Sequence, residues 1–108
     1  MDYRQYDIVI VNLDPTIGSE IKKTRPCLVI SPNEMNKYLR TITIAPITSQ
    51  SKTYPTRIEF LNPDSTPNWI VLDQIRTIDK TRILKTVGQI AEDDIFKVKE
   101  MIKEIFVD

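Results

Sequence analysis

The segment best suited to chemistry is the stretch 14–26, in which charged and polar residues precede an apolar run. Its sequence is DPTIGSEIKKTRP, and Arg25 stands directly before the run that Pro26 opens. We expect Arg25 to project from a sheet rim, because a buried-looking strand follows it at once. Its planar guanidinium donates several hydrogen bonds and so suits phosphate oxygens. On the residues alone, a salt bridge from Arg25 to Glu20 or Asp14 is the alternative.

Two further groups of polar residues follow apolar runs. Thr48, Ser49 and Gln50 come after the run TITIAPI. Hydroxyls and amides at a strand end can donate to phosphate oxygens or contact base edges, although turn formation alone also selects such residues. Asp73 interrupts the apolar pattern after WIVL, where it either takes part in a site or caps a backbone turn.

Composition excludes several kinds of chemistry. The chain has no His and one Cys, so Ser-His-Asp and Cys-His nucleophile systems, the two-histidine ribonuclease mechanism and His-ligated metal sites are absent. Any reaction must use carboxylates, arginine, lysine, hydroxyl groups or the thiol of Cys27. That lone cysteine forms no internal disulfide, and no apolar run is long enough for a signal peptide or a membrane span. We therefore expect a cytoplasmic protein with one domain, residues 1–108.

The charges are segregated along the chain, although their sum is zero. Lys and Arg number 15, as do Asp and Glu. Residues 20–57 carry seven cationic side chains against two carboxylates, and residues 76–91 carry four against one. This pattern is typical of a protein with one basic and one acidic face, although solvated basic loops would produce it too.

The elements that must position these side chains are predicted by hydrophobic periodicity. Apolar and alternating runs indicate short strands at 8–11, 26–30, 41–47, 56–60, 69–73 and 84–90. The fifth run is expected to continue toward Ile78. Pro46 is expected at a sheet edge or bulge, and Gly88 at a bulge or a close approach.

Helices are expected at two places. A short helical turn is predicted at 33–39. A helix of about four turns is predicted at the C-terminus, since Ile95, Val98, Ile102 and Ile105 recur at helical spacing. Glu92, Asp93 and Asp94 fall in its first turn, where the helix dipole favours carboxylates. Short strands joined by turns, with helices outside, predict a mainly β fold: a small antiparallel barrel or strongly curved sheet.

Taken together, the motifs resemble the MazF/PemK family of toxin endoribonucleases from type II toxin-antitoxin systems. The matching segments are DPTIGSEIKKTRPCLVISP, APITSQSKTYPTRIEF, VLDQIRTIDKTRI and GQIAEDDI, and they cover most of the chain from Asp7 to Ile95. The resemblance implies an SH3-like barrel of the MazF/Kid/CcdB-like toxin fold with a C-terminal helix. It also implies a homodimer that cleaves single-stranded RNA, often mRNA, without a metal or cofactor. A cognate antitoxin, whose disordered segment occupies the RNA site, is the implied protein partner.

The resemblance also implies roles for individual residues. Arg25 matches the family's catalytic arginine, and Thr48 matches its catalytic threonine. Glu20 lies near the RNA groove and is our candidate for the general base, with Asp73 as the alternative. The expected RNA-binding residues are Thr16, Ser19, Lys22, Lys23, Ser49, Gln50, Lys52, Tyr54, Asp73, Gln74 and Arg76. Tyr54 is a candidate for stacking on a base, whereas Trp69 fits the core better.

Two positions depart from the family pattern. Ser19 stands where some relatives have His, and Val71 stands where some have a basic residue. A mechanism that needs those groups cannot operate here, so we expect catalysis to depend on Arg25 and Thr48. Two other interpretations are a non-catalytic SH3-like module that binds nucleic acid or peptide, and a degenerate toxin paralogue that has become a regulator. The module does not explain why Arg25, Thr48 and Glu20 occur together at family spacing.

Overall fold

The computed structural model describes residues 2–13, 24–50, 54–61 and 65–107. The strands are β1 (Asp7–Asn12), β2 (Thr24–Val29), β3 (Thr41–Thr48), β4 (Arg57–Leu61), β5 (Pro67–Val71), β6 (Arg76–Asp79) and β7 (Ile83–Gln89). The helices are α1 (Asn33–Tyr38) and α2 (Glu92–Phe106), with single 3₁₀ turns at Leu72–Gln74 and Lys80–Arg82. The strand order is β4-β5-β3-β2-β1-β7, and β6 also pairs with β3. The sheet is antiparallel, barrel-like and not closed. The predicted mainly β fold is therefore confirmed.

Two hydrophobic cores lie on opposite faces of β2 and β3. The first core contains Val9, Val11, Leu13, Cys27, Val29, Ile42, Ile44, Ile78 and Ile83. The second contains Leu28, Ala45, Ile47, Ile58, Ile70, Leu72, Ile90 and Val98, the last supplied by α2. Because successive strand residues point to opposite faces, β2 and β3 contribute to both cores. This explains why their sequences are nearly continuous apolar runs rather than alternating ones.

The run expected to continue from 69 to Ile78 is interrupted. Trp69 lies opposite Thr48 of β3, but Arg76 lies opposite Ile44, so the register with β3 shifts by three residues between β5 and β6. The three extra residues form the 3₁₀ turn Leu72–Gln74. Leu72 remains buried in the second core, while Asp73 and Gln74 of the turn do not pair with β3.

The expectation that Pro46 marks a sheet edge is wrong. β3 is an interior strand that pairs with β2 on one edge, and with β6 and β5 on the other. The carbonyl of Thr43 accepts a hydrogen bond from Ile30 N on the β2 side, so the backbone of Pro46 faces the opposite edge. There it falls between Ile44, where pairing with β6 ends, and Ile47, where pairing with β5 begins. The missing N–H therefore costs no ladder bond.

β7 is an edge strand with an irregular register. Its pairing with β1 shifts twice, and each shift leaves one extra residue, Val87 and Leu84. Both side chains are exposed. The bulge expected beside Gly88 is therefore present, but a Cβ built at Gly88 would meet nothing within 4 Å, so no close approach requires the glycine.

In the described part of the chain, no helix is both long and apolar enough to cross a membrane.

A buried hydrogen-bond network attaches α1 to the sheet. Asn36 is 2% exposed, and its amide donates to Ser31 O at 2.8 Å. The Ser31 hydroxyl accepts from Thr43 N of β3 at 3.0 Å, and the Lys80 ammonium donates to Asn36 O. Each polar group of this network is buried or half-buried, so losing a partner leaves it unsatisfied.

We expect Asn36→Ala to lower the free energy of unfolding by about 1–3 kcal/mol, because Ser31 loses its buried partner. Urea unfolding of the purified protein measures this loss. Lys37→Ala, at an exposed site on the same helix, serves as the control and should change stability by less than about 0.5 kcal/mol. Equal unfolding midpoints for the two variants would contradict the structural role of Asn36.

Candidate functional site

β2 and β3 carry Arg25 and Thr48 on one face of the sheet, just beyond the last residue pair of their ladder. Cys27 lies opposite Pro46 in that last pair, and Arg25 and Thr48 each stand two residues farther along. Residues two apart in a strand share a face, so both lie on the face of the first core, at its end. Arg25 is half-buried, and Thr48 is 8% exposed. The two predicted catalytic residues thus lie at the adjoining ends of neighbouring strands, at the rim of a packed core.

Arg76 also belongs to this end of the first core. It lies opposite Ile44 in β6, which places it on the same face of the sheet. Burial raises the pKa of the Cys27 thiol to about 12, and the nearby guanidiniums of Arg76 and Arg25 only partly offset that effect. Cys27 is therefore a protonated core residue at neutral pH and not a nucleophile. The two arginines form a cationic rim above it.

The hydroxyl of Thr48 is held by the turn that follows β3. Its Oγ1 donates to Gln50 O and accepts from Gln50 N, both at 3.2 Å. Ser49 and Gln50 themselves are exposed. The main-chain N–H of Gln50 therefore fixes the hydroxyl oxygen, while the hydroxyl proton points to a carbonyl from which it can rotate away.

The same face continues across the next two strands. Trp69 of β5 lies opposite Thr48 on one side and opposite Glu59 of β4 on the other. Trp69 is half-buried, and its Nε1 is buried without a hydrogen-bond partner among the residues that the structure describes. Arg57 stands two residues before Glu59, so it shares this face.

Asp73 is part of a second polar cluster, which we call the clamp and define as Thr56, Arg57 and Asp73. Arg57 donates from Nε to Oδ1 at 3.1 Å and from Nη2 to Oδ2 at 3.2 Å, and Thr56 donates to Oδ1 at 3.0 Å. Burial opposes ionisation, but these hydrogen bonds outweigh it and lower the pKa of Asp73. Because both oxygens already accept hydrogen bonds, Asp73 is poorly suited to act as a general base.

Tyr54 lies against the clamp. The centre of its ring is 4.8 Å from the guanidinium carbon of Arg57, and Arg57 N donates to Tyr54 O at 3.1 Å. The Tyr54 side chain is 45% exposed. Sequence reasoning singled out Tyr54 and Asp73 but missed Arg57. No local signal marks Arg57, since its partner is 16 residues away and is reached only through the β4–β5 pairing.

Arg25, Thr48 and Arg76 thus lie on the face of the first core, with both arginines near Cys27, and Tyr54 and Asp73 lie beside and within the clamp. Gln74 is half-buried in the 3₁₀ turn after Asp73. Several predicted site residues lie outside the described residues: Thr16, Ser19, Glu20, Lys22, Lys23 and Lys52. Across residues 2–13, 24–50, 54–61 and 65–107, no three Cys, Asp or Glu side chains are grouped so as to hold a metal ion.

The clamp gives a testable dependence of stability on pH. The lowered pKa means that ionised Asp73 stabilises the fold above the ordinary carboxyl pKa of about 4 and loses this effect as the pH falls through its folded-state pKa. Asp73→Asn should therefore lower the melting temperature at neutral pH, and the difference from the parent protein should shrink below about pH 4. Thermal unfolding across this range measures it. Glu100→Gln, an exposed site on α2, controls for net charge; a constant Asp73→Asn deficit at all pH values would contradict the assignment.

Comparison with solved structures identifies the same architecture elsewhere. MazF from Deinococcus radiodurans is similar with a TM-score of 0.86 and 23% identity, over 97% of this chain and 96% of that one. A MazE-MazF complex from the same organism gives 0.80 and 22%, over 97% and 96%. A mycobacterial endoribonuclease solved in complex with its cognate antitoxin gives 0.79 and 17%, over 94% and 92%. At these identities the likeness establishes the fold.

Family membership follows from the sequence itself. The profile described as PemK-like, MazF-like toxin of type II toxin-antitoxin system matches residues 4–106. That span covers every strand and both helices. The chain therefore belongs to the PemK-like, MazF-like toxin family of type II toxin-antitoxin systems.

Proposed function

We propose that this protein is a sequence-specific, metal-independent endoribonuclease that cuts single-stranded RNA, mRNA above all, in the cytoplasm and thereby inhibits translation. It acts as a homodimer and is neutralised by a cognate antitoxin. Membership of the toxin family supports the proposal. So do the solved relatives described as an endoribonuclease with its antitoxin and as a MazE-MazF complex.

The observation that carries the proposal is the position of Arg25 relative to Thr48. Both lie on the face of the first core, two residues beyond the Cys27–Pro46 pair, and Arg76 of β6 lies on the same face. A guanidinium and a fixed hydroxyl at the same end of one sheet face can bind the non-bridging oxygens of one phosphate. Because strands hold both residues, the site is pre-organised and needs little rearrangement when charge develops.

The reaction that suits these groups uses the RNA's own 2′-hydroxyl as nucleophile. The 2′-oxygen forms a bond to phosphorus while the bond from phosphorus to the 5′-oxygen breaks. A base takes the proton from the 2′-hydroxyl, and the leaving 5′-oxygen acquires a proton. The products are a 2′,3′-cyclic phosphate and a 5′-hydroxyl. Since the nucleophile is part of the substrate, the protein mainly orients it and stabilises charge.

Arg25 stabilises the negative charge that builds on the non-bridging oxygens. Its guanidinium holds its proton too tightly to be a general base, but it presents fixed donors in a half-buried place. There, electrostatic stabilisation is stronger than in bulk water.

Thr48 supplies one further hydrogen bond to the same phosphate. Its hydroxyl proton turns from Gln50 O to a phosphate oxygen, while Gln50 N continues to hold Oγ1 in place. The turn after β3 thus keeps the donor positioned without fixing its proton.

Glu20 is the general base in this proposal. It lies outside the described residues, on the segment that leads into Arg25. Asp73 is the weaker candidate, because the clamp occupies both of its oxygens and lowers its pKa. The remaining predicted contacts bind flanking nucleotides: Ser49, Gln50 and Arg76 near the reacting phosphate, and Tyr54 farther along the same face.

Chelation should leave the reaction intact. The purified protein, incubated with a long labelled transcript, should cut at a small set of sites at the same rate with EDTA or with magnesium, because no step uses a metal. Product ends are identified by their phosphatase and kinase sensitivity. Intact RNA in EDTA, with cleavage restored by magnesium, would contradict the metal-free scheme.

Removing the Arg25 guanidinium should lower the rate of cleavage at least about 100-fold, the usual loss for one preorganised transition-state donor. The measurement is single-turnover cleavage of the same transcript by Arg25→Ala. Arg40→Ala, an exposed site just before the far end of β3, is the matched control and should cut at the parent rate. Full activity in Arg25→Ala would refute the assignment. RNA binding without cleavage by the parent protein would instead favour the non-catalytic module or the degenerate paralogue.

A further inference from the structure

We propose that Arg57 is a positioning residue for RNA, which backs the ring of Tyr54 so that the exposed side of that ring stacks on one unpaired nucleobase. The inference deepens the proposed function and rests on it for the nature of the ligand. It assigns a role to a residue that the family motifs did not single out.

The clamp adds side-chain bonds where β4 already pairs with β5. Arg57 makes two contacts with Asp73, and Thr56 makes a third. Between the same two segments, Arg57 lies opposite Val71, and Leu72 N donates to Thr56 O at 3.2 Å. The chain entering β4 is thereby attached to the 3₁₀ turn after β5, and the Arg57 side chain cannot leave Tyr54 without breaking its two hydrogen bonds to Asp73.

The Arg57 guanidinium is bound to Asp73 and lies against Tyr54, so it is not a free phosphate ligand. The Arg57 side chain is only 19% exposed, whereas that of Asp73 is 35% exposed. The Asp73 carboxylate compensates the charge of Arg57 at contact distance. Beside the clamp, Tyr54 is 45% exposed and offers an aromatic surface to solvent next to the partly exposed Asp73 carboxylate.

A ring with a cation behind it and solvent in front is a suitable stacking surface. The guanidinium plane holds the ring through cation–π contact, at 4.8 Å from its centre. Aromatic side chains held in this manner bind unpaired bases face to face, largely independently of the base sequence.

The position favours RNA as the occupant. Arg57 and Trp69 lie on the same sheet face as Thr48, and β4 is two strands away from β3. At the usual strand spacing, this places the clamp about 10 Å from the strand that carries Thr48. A strand of RNA whose phosphate sits on Arg25 can thus reach Tyr54 with a nearby base.

This geometry needs arginine, not just a positive charge. The flat fork reaches both Asp73 oxygens and lies over the ring at once, which the point charge of a lysine cannot do. Since Arg57 acts on binding and not on the reacting bond, replacing it should raise KM and leave kcat nearly unchanged.

The test pairs protein variants with altered RNA. The probe is a 2′-O-methyl octanucleotide spanning the main cut site mapped with the parent protein, because the methyl group blocks cleavage and isolates binding. A series of probes lacks one base each. Fluorescence anisotropy should show that one missing base weakens binding to the parent protein about 5- to 100-fold. The same missing base should cost less than about twofold in Tyr54→Leu and Arg57→Met.

Two further variants sharpen the result. Arg57→Lys should not restore the base-dependent loss, and Arg40→Met should behave like the parent protein. Melting curves establish that each variant is folded at the assay temperature. If Arg57→Met does not fold, Arg57→Lys tests the role of the guanidinium, and Tyr54→Leu tests the stacking, because the exposed Tyr54 side chain can be shortened without opening a core.

Several outcomes would overturn the proposal. They are an undiminished base-dependent loss in Tyr54→Leu or Arg57→Met, full rescue by Arg57→Lys, or an equal loss of affinity for intact and abasic probes. Unchanged RNA binding by both variants, together with lost inhibition by the antitoxin, would show that the Tyr54 surface binds the antitoxin instead.

The failure of the proposed function is a separate result. If the parent protein cuts no RNA, 2′-O-methyl octauridylate and its fully abasic counterpart replace the mapped probe. Binding that depends on the bases, on Tyr54 and on Arg57 would then support the stacking surface, while the absence of cleavage would refute the proposed endoribonuclease activity. Absence of any RNA binding would refute both.

Discussion

The pairing of β3 on both of its edges is the constraint on which the rest of the molecule depends. Every strand of the sheet reaches its place either through β3 itself or through β2 and β5, its neighbours. Because β3 also supplies both cores, a slip of its register by one residue would move each of its side chains into the opposite core. The positions of Arg25 and Thr48 are therefore fixed by core packing, and the site inherits its rigidity from the hydrophobic interior.

Charge is handled differently at the two ends of this face. Near Arg25 and Arg76, two guanidiniums lie close enough to the buried Cys27 thiol to oppose the rise in its pKa that burial causes. In the clamp, the charges of Arg57 and Asp73 compensate each other, and the Tyr54 ring lies against Arg57. Although the net charge of the protein is zero, its charges are thus arranged differently at two places on one face.

The sequence predicts the elements well and their exceptions poorly. Strand runs and the helix containing Val98 follow from periodicity, and the family motifs name Arg25 and Thr48, which the strands then place on one face, just beyond the last β2–β3 pair. The three-residue interruption at 72–74 could not be anticipated, since Leu72 continues the apolar pattern and only the pairing with β3 shows the shift. The sheet edge predicted at Pro46 is wrong, because β3 is paired on both sides and only its partner changes at this residue. No sequence signal marks Arg57, because its partner is set by tertiary pairing.

The irregular edge strand β7 bears on edge-to-edge pairing between molecules of this protein. A regular edge offers evenly spaced backbone donors and acceptors. A strand of another molecule can pair with them, and repetition of this pairing leads to aggregation. The extra residues at Val87 and Leu84 break that spacing twice within one short strand. Bulges of this kind bend a strand and increase its twist, which makes the free edge a poorer template for a continuous ladder.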